Sequence, residues 1–320
     1  MSSIEIFSPA SIKEAITILE TSPMPVDSPT QRRYRTSDHL STTFASGRRK
    51  PEWVWAARAA DGTYVGHVAA LSQSGQAPEI LEHFGLPADP AQARELIARV
   101  TDVARSLGVN AAGIFAPPGS TFADLALQPL VGPLRNAGWK LLIERRHYEF
   151  EPSPELGQRI ETRLRMEQLH DSTDPRLVAV HREVMRGTLD AADAADIKRL
   201  GFDSACKNIL ASMLNADPVD CIRLAFDDAG KPVGMVSGLV LSSGRAYVWF
   251  VGVVATSRGK GYGREMLAWM TRQLIEQNAT TLIADTDNTN VPMAKAFSSV
   301  GWIQTETRID LVPGPRQSGG

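Results

Sequence analysis

Residues 251–267 read VGVVATSRGKGYGREML, and this stretch decides how the rest of the chain is interpreted. A nearly continuous apolar run ends at Val254, a short turn follows, and the segment 258–263 opens an amphipathic helix. Glycine lets the backbone approach a ligand closely, and the first amides of a helix point outward at the positive end of its dipole. The stretch therefore predicts a cradle for a pyrophosphate group.

The glycine spacing excludes two common phosphate-binding loops. GKGYG (259–263) lacks the Gly-x-x-x-x-Gly-Lys-Ser/Thr spacing of a P-loop. It also lacks the third glycine of the dinucleotide fingerprint, and it follows hairpins that look antiparallel instead of opening the domain. The alternative at this point is a tight turn without a ligand.

The patterns around this stretch predict a mixed α/β fold. In chain order, residues 163–311 give β-α-α-β-β-β-α-β-α-β. The predicted strands and helices are 163–169, helix 174–185, helix 203–214, strands 219–226, 232–241 and 246–254, helix 263–277, strand 280–285, helix 290–300 and a final strand. Residues 187–203 are predicted as a loop between the first two helices.

The two halves of the chain resemble each other. A strand-turn-strand pattern with an internal Val-Gly pair occurs at Gly66 and again at Gly234, and a helix end followed by Gly-Trp occurs at Gly138 and again at Gly301. The intervals are 72 and 67 residues, a difference that one loop could absorb. We interpret this as a tandem duplication; the alternative is two unrelated α/β domains that share common turn signals.

The predicted join between the halves is residues 151–158, EPSPELGQ, where prolines and a glycine interrupt any regular pattern. The predicted domains are 1–152 and 160–313.

The glycine-rich loop resembles motif A of the GNAT N-acetyltransferase superfamily, Arg/Gln-x-x-Gly-x-Gly/Ala at a junction between a strand and a helix. Arg258, Gly261 and Gly263 fill its three defined positions. NVPMAKAFSSVGW (290–302) resembles the family's next segment, with Trp302 in place of the usual Phe. The resemblance implies a mixed sheet splayed between its fourth and fifth strands, where acyl-CoA enters.

The resemblance also implies acetyl-CoA as co-substrate and a set of residues that bind it. In that family the loop amides hold the pyrophosphate, the preceding strand holds the pantetheine arm, and an asparagine on the next helix contacts CoA. The implied residues are Val253, Arg258, Gly259, Lys260, Gly261, Tyr262, Gly263 and Asn290. No metal is implied, because the histidines and the two cysteines lack metal-ligand spacing.

The first half is predicted to be a degenerate copy that binds no CoA. The place matching Arg258 falls near residues 90–95, PAQARE, where no glycine is available. Asp89 is instead the predicted N-cap of a helix that starts at Pro90, and its carboxylate would occupy the pyrophosphate position. One competent half in a duplicated chain resembles the tandem-GNAT group that includes mycothiol synthases.

The family's usual acid and base are absent here. Many members have a Glu six residues before the pantetheine residue and a Tyr four residues before the Gly-Phe pair, and these positions are Tyr247 and Phe297 in this chain. Three substitutes remain open: a water relay through Tyr247, either of Asp285 and Asp287 at the end of a strand, or proton loss to bulk water. A packing role for Tyr247 and a turn role for the two aspartates are the alternatives.

The acyl acceptor is expected to enter over residues 187–203, which contain Asp190, Asp193, Asp196 and Asp203. An acidic rim suits a cationic amine of a small molecule, although such acids also serve solubility. A formal net charge of −2 gives no case for nucleic acid or an anionic membrane. With no readable secretion signal and no long apolar span, a cytoplasmic location is expected, and a homodimer is left open.

These features together predict a tandem GNAT protein that acts as an acyl-CoA-dependent N-acyltransferase through its C-terminal domain. The competing hypothesis is an acyl-CoA sensor that has kept the pocket and lost the chemistry, which the missing Glu and Tyr would favour.

Overall fold

A computed structural model describes residues 4–152, 162–216, 218–241 and 243–314. The chain forms two compact units, one made of Met1–Glu144 with Glu306–Gly320 and the other of Arg145–Thr305. Residues 153–158 of the predicted join lie outside the described residues. Among the described residues, no helix has the length and apolar character needed to cross a membrane.

The N-terminal unit is a mixed sheet with helices. Its elements are β1 (Glu5–Phe7), α1 (Ile12–Thr21), α2 (Pro29–Tyr34), α3 (Ser37–Ala45), β2 (Val54–Arg58), β3 (Tyr64–Leu71), β4 (Ile80–Gly85), α4 (Pro90–Ser106), β5 (Ala111–Ala116), α5 (Gln128–Asn136) and the first part of β6 (Trp139–Phe150). Strands β1 to β5 are neighbours in that order, and only the β4–β5 pair is parallel.

The C-terminal unit repeats this plan. Its elements are the end of β6, β7 (Arg165–Gln168), α6 (Pro175–Met185), α7 (Ala191–Leu200), α8 (Phe202–Ala216), β8 (Ile222–Phe226), β9 (Pro232–Val240), β10 (Arg245–Val253), α9 (Tyr262–Glu276), β11 (Thr281–Asp287), α10 (Val291–Val300) and the start of β12 (Ile303–Pro313). The strand order is β7-β8-β9-β10-β11, with β6 beyond β11, and only the β10–β11 pair is parallel.

The compact units differ from the contiguous ranges 1–152 and 160–313 at the strands that complete each sheet. Residues 145–150 of β6 pair antiparallel with β11 and so belong to the C-terminal unit. Residues 307–311 of β12 pair antiparallel with β5 and belong to the N-terminal unit. Both strands follow the same Gly-Trp signal, so the local pattern cannot tell which sheet edge each one joins.

The two Gly-Trp pairs occupy matching places. Gly138 and Gly301 both have positive φ, 87° and 96°, the backbone conformation that favours glycine after a helix. The indole of Trp139 donates a hydrogen bond of 2.9 Å to Thr101 of α4, and the indole of Trp302 donates one of 3.0 Å to Thr271 of α9. The same buried contact in both units supports the predicted duplication.

One segment folds differently from the prediction. Residues 187–203, predicted as a loop, contain helix α7. Asp190 caps it by accepting hydrogen bonds from the amides of Ala192 and Asp193, and Gly201 ends it with φ 81°. The four alanines in 191–195 favour the helix together with these caps, so the local signals for a helix were present in the sequence.

Candidate functional site

The parallel strands β10 and β11 diverge. Their pairing covers Arg245–Tyr247 against Thr281–Ile283, and beyond these residues β10 stays paired with β9 and β11 with β6. The register of β10 against β9 shifts between Val248 and Phe250, which places a bulge at Trp249. The two strands therefore open a wedge in the sheet of the C-terminal unit, as the family resemblance implied.

A cleft of about 620 Å³ occupies this wedge. Its walls are residues 248–253 of β10, the glycine-rich loop, one face of α10, the end of α6, the first turn of α7 and the segment before it, one residue of β6 and two residues of β11. The volume is in the range of small-molecule sites. The cofactor loop and the carboxylates of residues 190, 193 and 285 face the same space.

The loop between β10 and α9 is built to receive an anion. Gly259 and Gly261 have φ of 79° and 86°, and Gly261 is the N-cap of α9 with no side-chain cap. The amide of Glu265 makes the bond back to Gly261, which leaves the amides of the preceding turn directed outward. A Cβ added at Gly259 or Gly261 would meet no atom within 4 Å. This open, uncapped helix start fits a pyrophosphate.

Arg258 uses its side chain to hold the loop. Its Nε donates to the carbonyl of Val253 at 3.3 Å, and its two terminal nitrogens donate to the carbonyls of Val184 and Gly187 at 2.7 Å. The guanidinium thus ties the end of β10 to the end of α6. The contact between Arg258 and CoA that the resemblance implies stays a prediction, and the observed hydrogen bonds give Arg258 a positioning role.

We expect Arg258→Lys and Arg258→Met to weaken acetyl-CoA binding to a similar extent, about tenfold. Neither side chain can bridge three carbonyls with a planar fork, so the loop loses its fixed geometry in both variants. Calorimetric titration with acetyl-CoA measures the effect. Full affinity in the lysine variant beside a loss in the methionine variant would instead indicate that the positive charge acts on phosphate directly.

The other residues with an implied role in CoA binding fall into two groups. Val253, Gly263, Tyr262 and Asn290 line the cleft together with Gly259 and Gly261, whereas Lys260 is exposed and lies outside the lining. The Asn290 side chain accepts a bond from the amide of Met293 and caps α10, at 3.2 Å. A CoA contact by Asn290 must share this carboxamide with the helix.

The three candidate catalytic residues separate clearly. Tyr247 is the last residue of β10 that pairs with β11. Its ring packs edge-on against Trp249, and it lies outside the cleft lining. Asp287 is buried, and its carboxylate accepts bonds from Ala191 and twice from Thr289, at 2.7–2.8 Å. Asp285 lines the cleft. Tyr247 and Asp287 do not line it.

Two side chains that β6 contributes to the C-terminal unit are not among the residues predicted from the sequence. His147 is buried, and its Nδ1 lies 2.7 Å from Asp285 Oδ1. Arg145 lines the cleft and donates to Asp190 Oδ2 at 2.9 Å. The period-2 alternation of β6 was the available signal, because residues 145 and 147 share one face of the strand. What hid them was the assignment of β6 to the other domain.

Phe297 occupies the place of the family's tyrosine acid. Its ring stacks on Tyr148 at a centroid distance of 4.5 Å and packs edge-on against Trp302 at 5.3 Å. It lines the cleft with carbon alone and therefore supplies no proton.

The equivalent region of the N-terminal unit is closed in two ways. Asp89 accepts bonds from the amides of Ala91 and Gln92 at 2.8 and 3.0 Å, and these bonds lower the pKa of its carboxyl. Strands β4 and β5 also diverge after two residue pairs, but the ring of Tyr34 packs against both His83 on β4 and Phe115 on β5. The predicted cap by Asp89 is confirmed.

Residues 193–302 match the sequence model of the acetyltransferase (GNAT) family. The C-terminal unit carries a GNAT domain. Proteins of this family use acetyl-CoA as co-substrate, so the GNAT domain indicates an acyl-CoA-dependent transferase. None of the curated proteins matches the sequence.

Solved GNAT structures resemble nearly the whole chain. A GCN5-related N-acetyltransferase from Sphaerobacter thermophilus has a TM-score of 0.56 at 12% identity, covering 99% of this chain and 98% of that one. A tandem GNAT protein from the clavulanic acid biosynthesis pathway has a TM-score of 0.51 at 14% identity, covering 98% and 100%. A glucosamine N-acetyltransferase region of a fungal β-N-acetylglucosaminidase has 0.56 at 12%, covering 97% of this chain and 38% of that one. The predicted mixed α/β fold of two tandem GNAT units is confirmed.

Proposed function

We propose that the protein transfers an acyl group, with acetyl-CoA as donor, to the primary amine of a small molecule in the cleft of its C-terminal unit. One observation carries the proposal: an uncapped glycine helix start and a set of carboxylates open on the same wedge between diverging strands. The first feature suits the anionic donor, and the second suits a cationic acceptor.

The donor side follows from backbone geometry. The amides of the loop 259–263 receive the pyrophosphate, and Arg258 holds this loop against the end of β10. Among the described strands, none pairs with the edge of β10 that faces away from β9 beyond Tyr247, so peptide groups between Val248 and Gly252 can bind the pantetheine arm. The thioester carbonyl is then placed within the wedge, where fixed donors act more strongly than in water.

The acceptor side offers apolar surface beside negative charge. Trp249 and Leu189 are 55% and 48% exposed, and both line the cleft. Asp285, held by His147, can pair with the ammonium form of the arriving amine, which then gives one proton to water and becomes the neutral nucleophile. We propose direct transfer: the neutral amine nitrogen attacks the thioester carbon and the carbon–sulfur bond breaks. As the amide forms, the nitrogen loses its second proton, which passes to water directly or through a side chain of the cleft. The thiolate takes its own proton from water because Phe297 has none to give.

A second function is favoured by Phe297, which leaves the domain without the usual acid. In that case the C-terminal unit binds acyl-CoA as a sensor and performs no transfer. Both functions require the protein to bind acyl-CoA, but only the transferase releases thiol from it.

Thiol release from acetyl-CoA, measured with a panel of primary amines, tests the proposal. We expect one acetyl-CoA per chain by calorimetry, because the N-terminal unit has Asp89 in place of an open cradle, and thiol release with at least one amine. Binding without thiol release across the panel would favour the sensor. Absence of acetyl-CoA binding would contradict both functions.

A further inference from the structure

The first turn of α7 brings two carboxylates to the cleft, and their surroundings differ. Asp190 accepts two backbone amides through Oδ1 and the guanidinium of Arg145 through Oδ2. Its negative charge is therefore compensated on both oxygens. Asp193, one turn further along, lines the cleft without this ion pair at its own carboxylate.

The surroundings of Asp193 give its carboxyl group a higher pKa than an aspartate has in water. Burial and the neighbouring charge of Asp190 raise the pKa of Asp193 to about 6, with a smaller contribution from Asp196. Arg145 on β6 and a hydrogen bond with Thr188 act in the opposite direction. At neutral pH the carboxylate is therefore mostly ionised and still basic enough to take up a proton.

Each of the other acids near the cleft is held by a hydrogen bond or an ion pair. Asp285 shares a 2.7 Å hydrogen bond with His147, and Asp287 is buried beneath three hydrogen bonds. Asp196 pairs with Arg199 at 2.6 Å and lies outside the cleft lining. Asp193 combines a place on the cleft wall with a carboxylate that can change its protonation state.

We propose that Asp193 is the general base of the transfer reaction, a role that rests on the proposed function. As the amine nitrogen bonds to the thioester carbon and the thiolate departs, the nitrogen loses one proton to a carboxylate oxygen of Asp193. Asp193 then returns that proton to water, so each cycle yields one amide and one thiol. Asp285 orients the acceptor, and Asp193 removes its proton.

The test compares Asp193→Asn with Asp228→Asn, the same change at an exposed residue of the β8–β9 hairpin that lies outside the cleft lining. With the amine that gives the fastest thiol release, we expect kcat of Asp193→Asn to fall about 100-fold and kcat of Asp228→Asn to stay within twofold. Acetyl-CoA affinity is expected to stay unchanged in both, which shows that the cleft has kept its shape. A fall in kcat accompanied by lost acetyl-CoA binding, with no recovery in Asp193→Glu, would contradict the role and indicate a structural one.

The pH profile gives a readout that a structural role would not produce. The ratio of wild-type kcat to that of Asp193→Asn is expected to rise about tenfold from pH 5 to pH 7, because the ionised fraction of Asp193 rises over this range. The ratio cancels the ionisation of the acceptor, which is the same for both proteins. Arg145→Gln removes the charge that lowers the pKa of Asp193 and should shift this rise to higher pH. A flat ratio, or a change confined to KM, would overturn the proposal while thiol release by the wild-type protein still supports the proposed function.

Discussion

The Gly261→Asp variant is expected to bind acetyl-CoA at least about 100-fold more weakly than the wild-type protein. Gly261 is the N-cap of α9, and its Cβ position opens on empty space beside the outward amides. An aspartate there directs its carboxylate to the place proposed for the pyrophosphate. Repulsion between charges about 4 Å apart near a protein surface costs about 4 kcal/mol. A 100-fold loss of affinity corresponds to about 2.8 kcal/mol, so the repulsion is large enough to cause it. Calorimetric titration measures the change.

Two further variants separate charge from backbone strain. Gly230→Asp introduces the same side chain at a glycine with φ 75° and open surroundings in the β8–β9 hairpin, so it matches the strain without approaching the cleft. Gly261→Ala adds a side chain at the same position as Gly261→Asp but introduces no charge. Both are expected to keep acetyl-CoA affinity within about tenfold. Equal losses in the alanine and aspartate variants would indicate that the loop conformation, and not the anion cradle, carries the binding.

In the N-terminal unit, the helix that corresponds to α9 begins with a carboxylate cap instead of an open glycine. Asp89 caps α4 as its sequence context predicted, because an N-cap carboxylate followed by proline is a local signal that needs no tertiary information. The loop before α4, residues 86–89, is half the length of the loop before α9, residues 254–261. The sequence therefore predicted which half has an open cradle. The packing of Tyr34 between β4 and β5 could not be predicted, because it joins segments far apart in the chain.

Features that depend on neighbouring residues in the chain could be predicted from the sequence, whereas features that depend on contacts between distant segments could not. The glycine-rich loop, the strands and the helices of the C-terminal unit other than α7 are local patterns, and their positions agree with the structure to within a few residues. The compact unit to which β6 or β12 belongs depends on which strand each of them pairs with, and local sequence does not report this pairing. Strand β6 contributes Arg145 to the cleft lining and His147 to the hydrogen bond with Asp285. The site therefore contained a polar pair, His147 with Asp285, that no local pattern could join.

Side-chain direction was the second limit. Spacing put Asp285 and Asp287 on one face of a strand, and both residues are where the pattern put them. The turn after β11 then directs the backbone and hydroxyl of Thr289 to Asp287, and the start of α7 adds a third donor, the amide of Ala191. A carboxylate with three donors is a structural tie between elements. Chemically equal residues thus acquired different roles through contacts that spacing does not report.

The protein is expected to lose stability as the pH falls below about 6.5, because both units bury neutral histidines. Burial lowers the pKa of His67 to about 3 and that of His181 to about 4, and it lowers the pKa of His83 well below its usual value. The unfolded chain binds protons at these residues near pH 6.5, whereas the folded chain does not. Protonation therefore favours unfolding, and the stability present at neutral pH is lost as the pH falls.

The size of this effect follows from the pKa difference between the two states. At pH 5 each of His67 and His181 should lower the free energy of unfolding by about 2 kcal/mol relative to pH 7, an order-of-magnitude figure. Urea unfolding at the two pH values measures it. His67→Met and His181→Leu should each remove about 2 kcal/mol of the difference, whereas His170→Gln, at an exposed position, should leave it unchanged. An undiminished difference in both buried-site variants would mean that other groups control the acid response, since an apolar side chain cannot be protonated in either state.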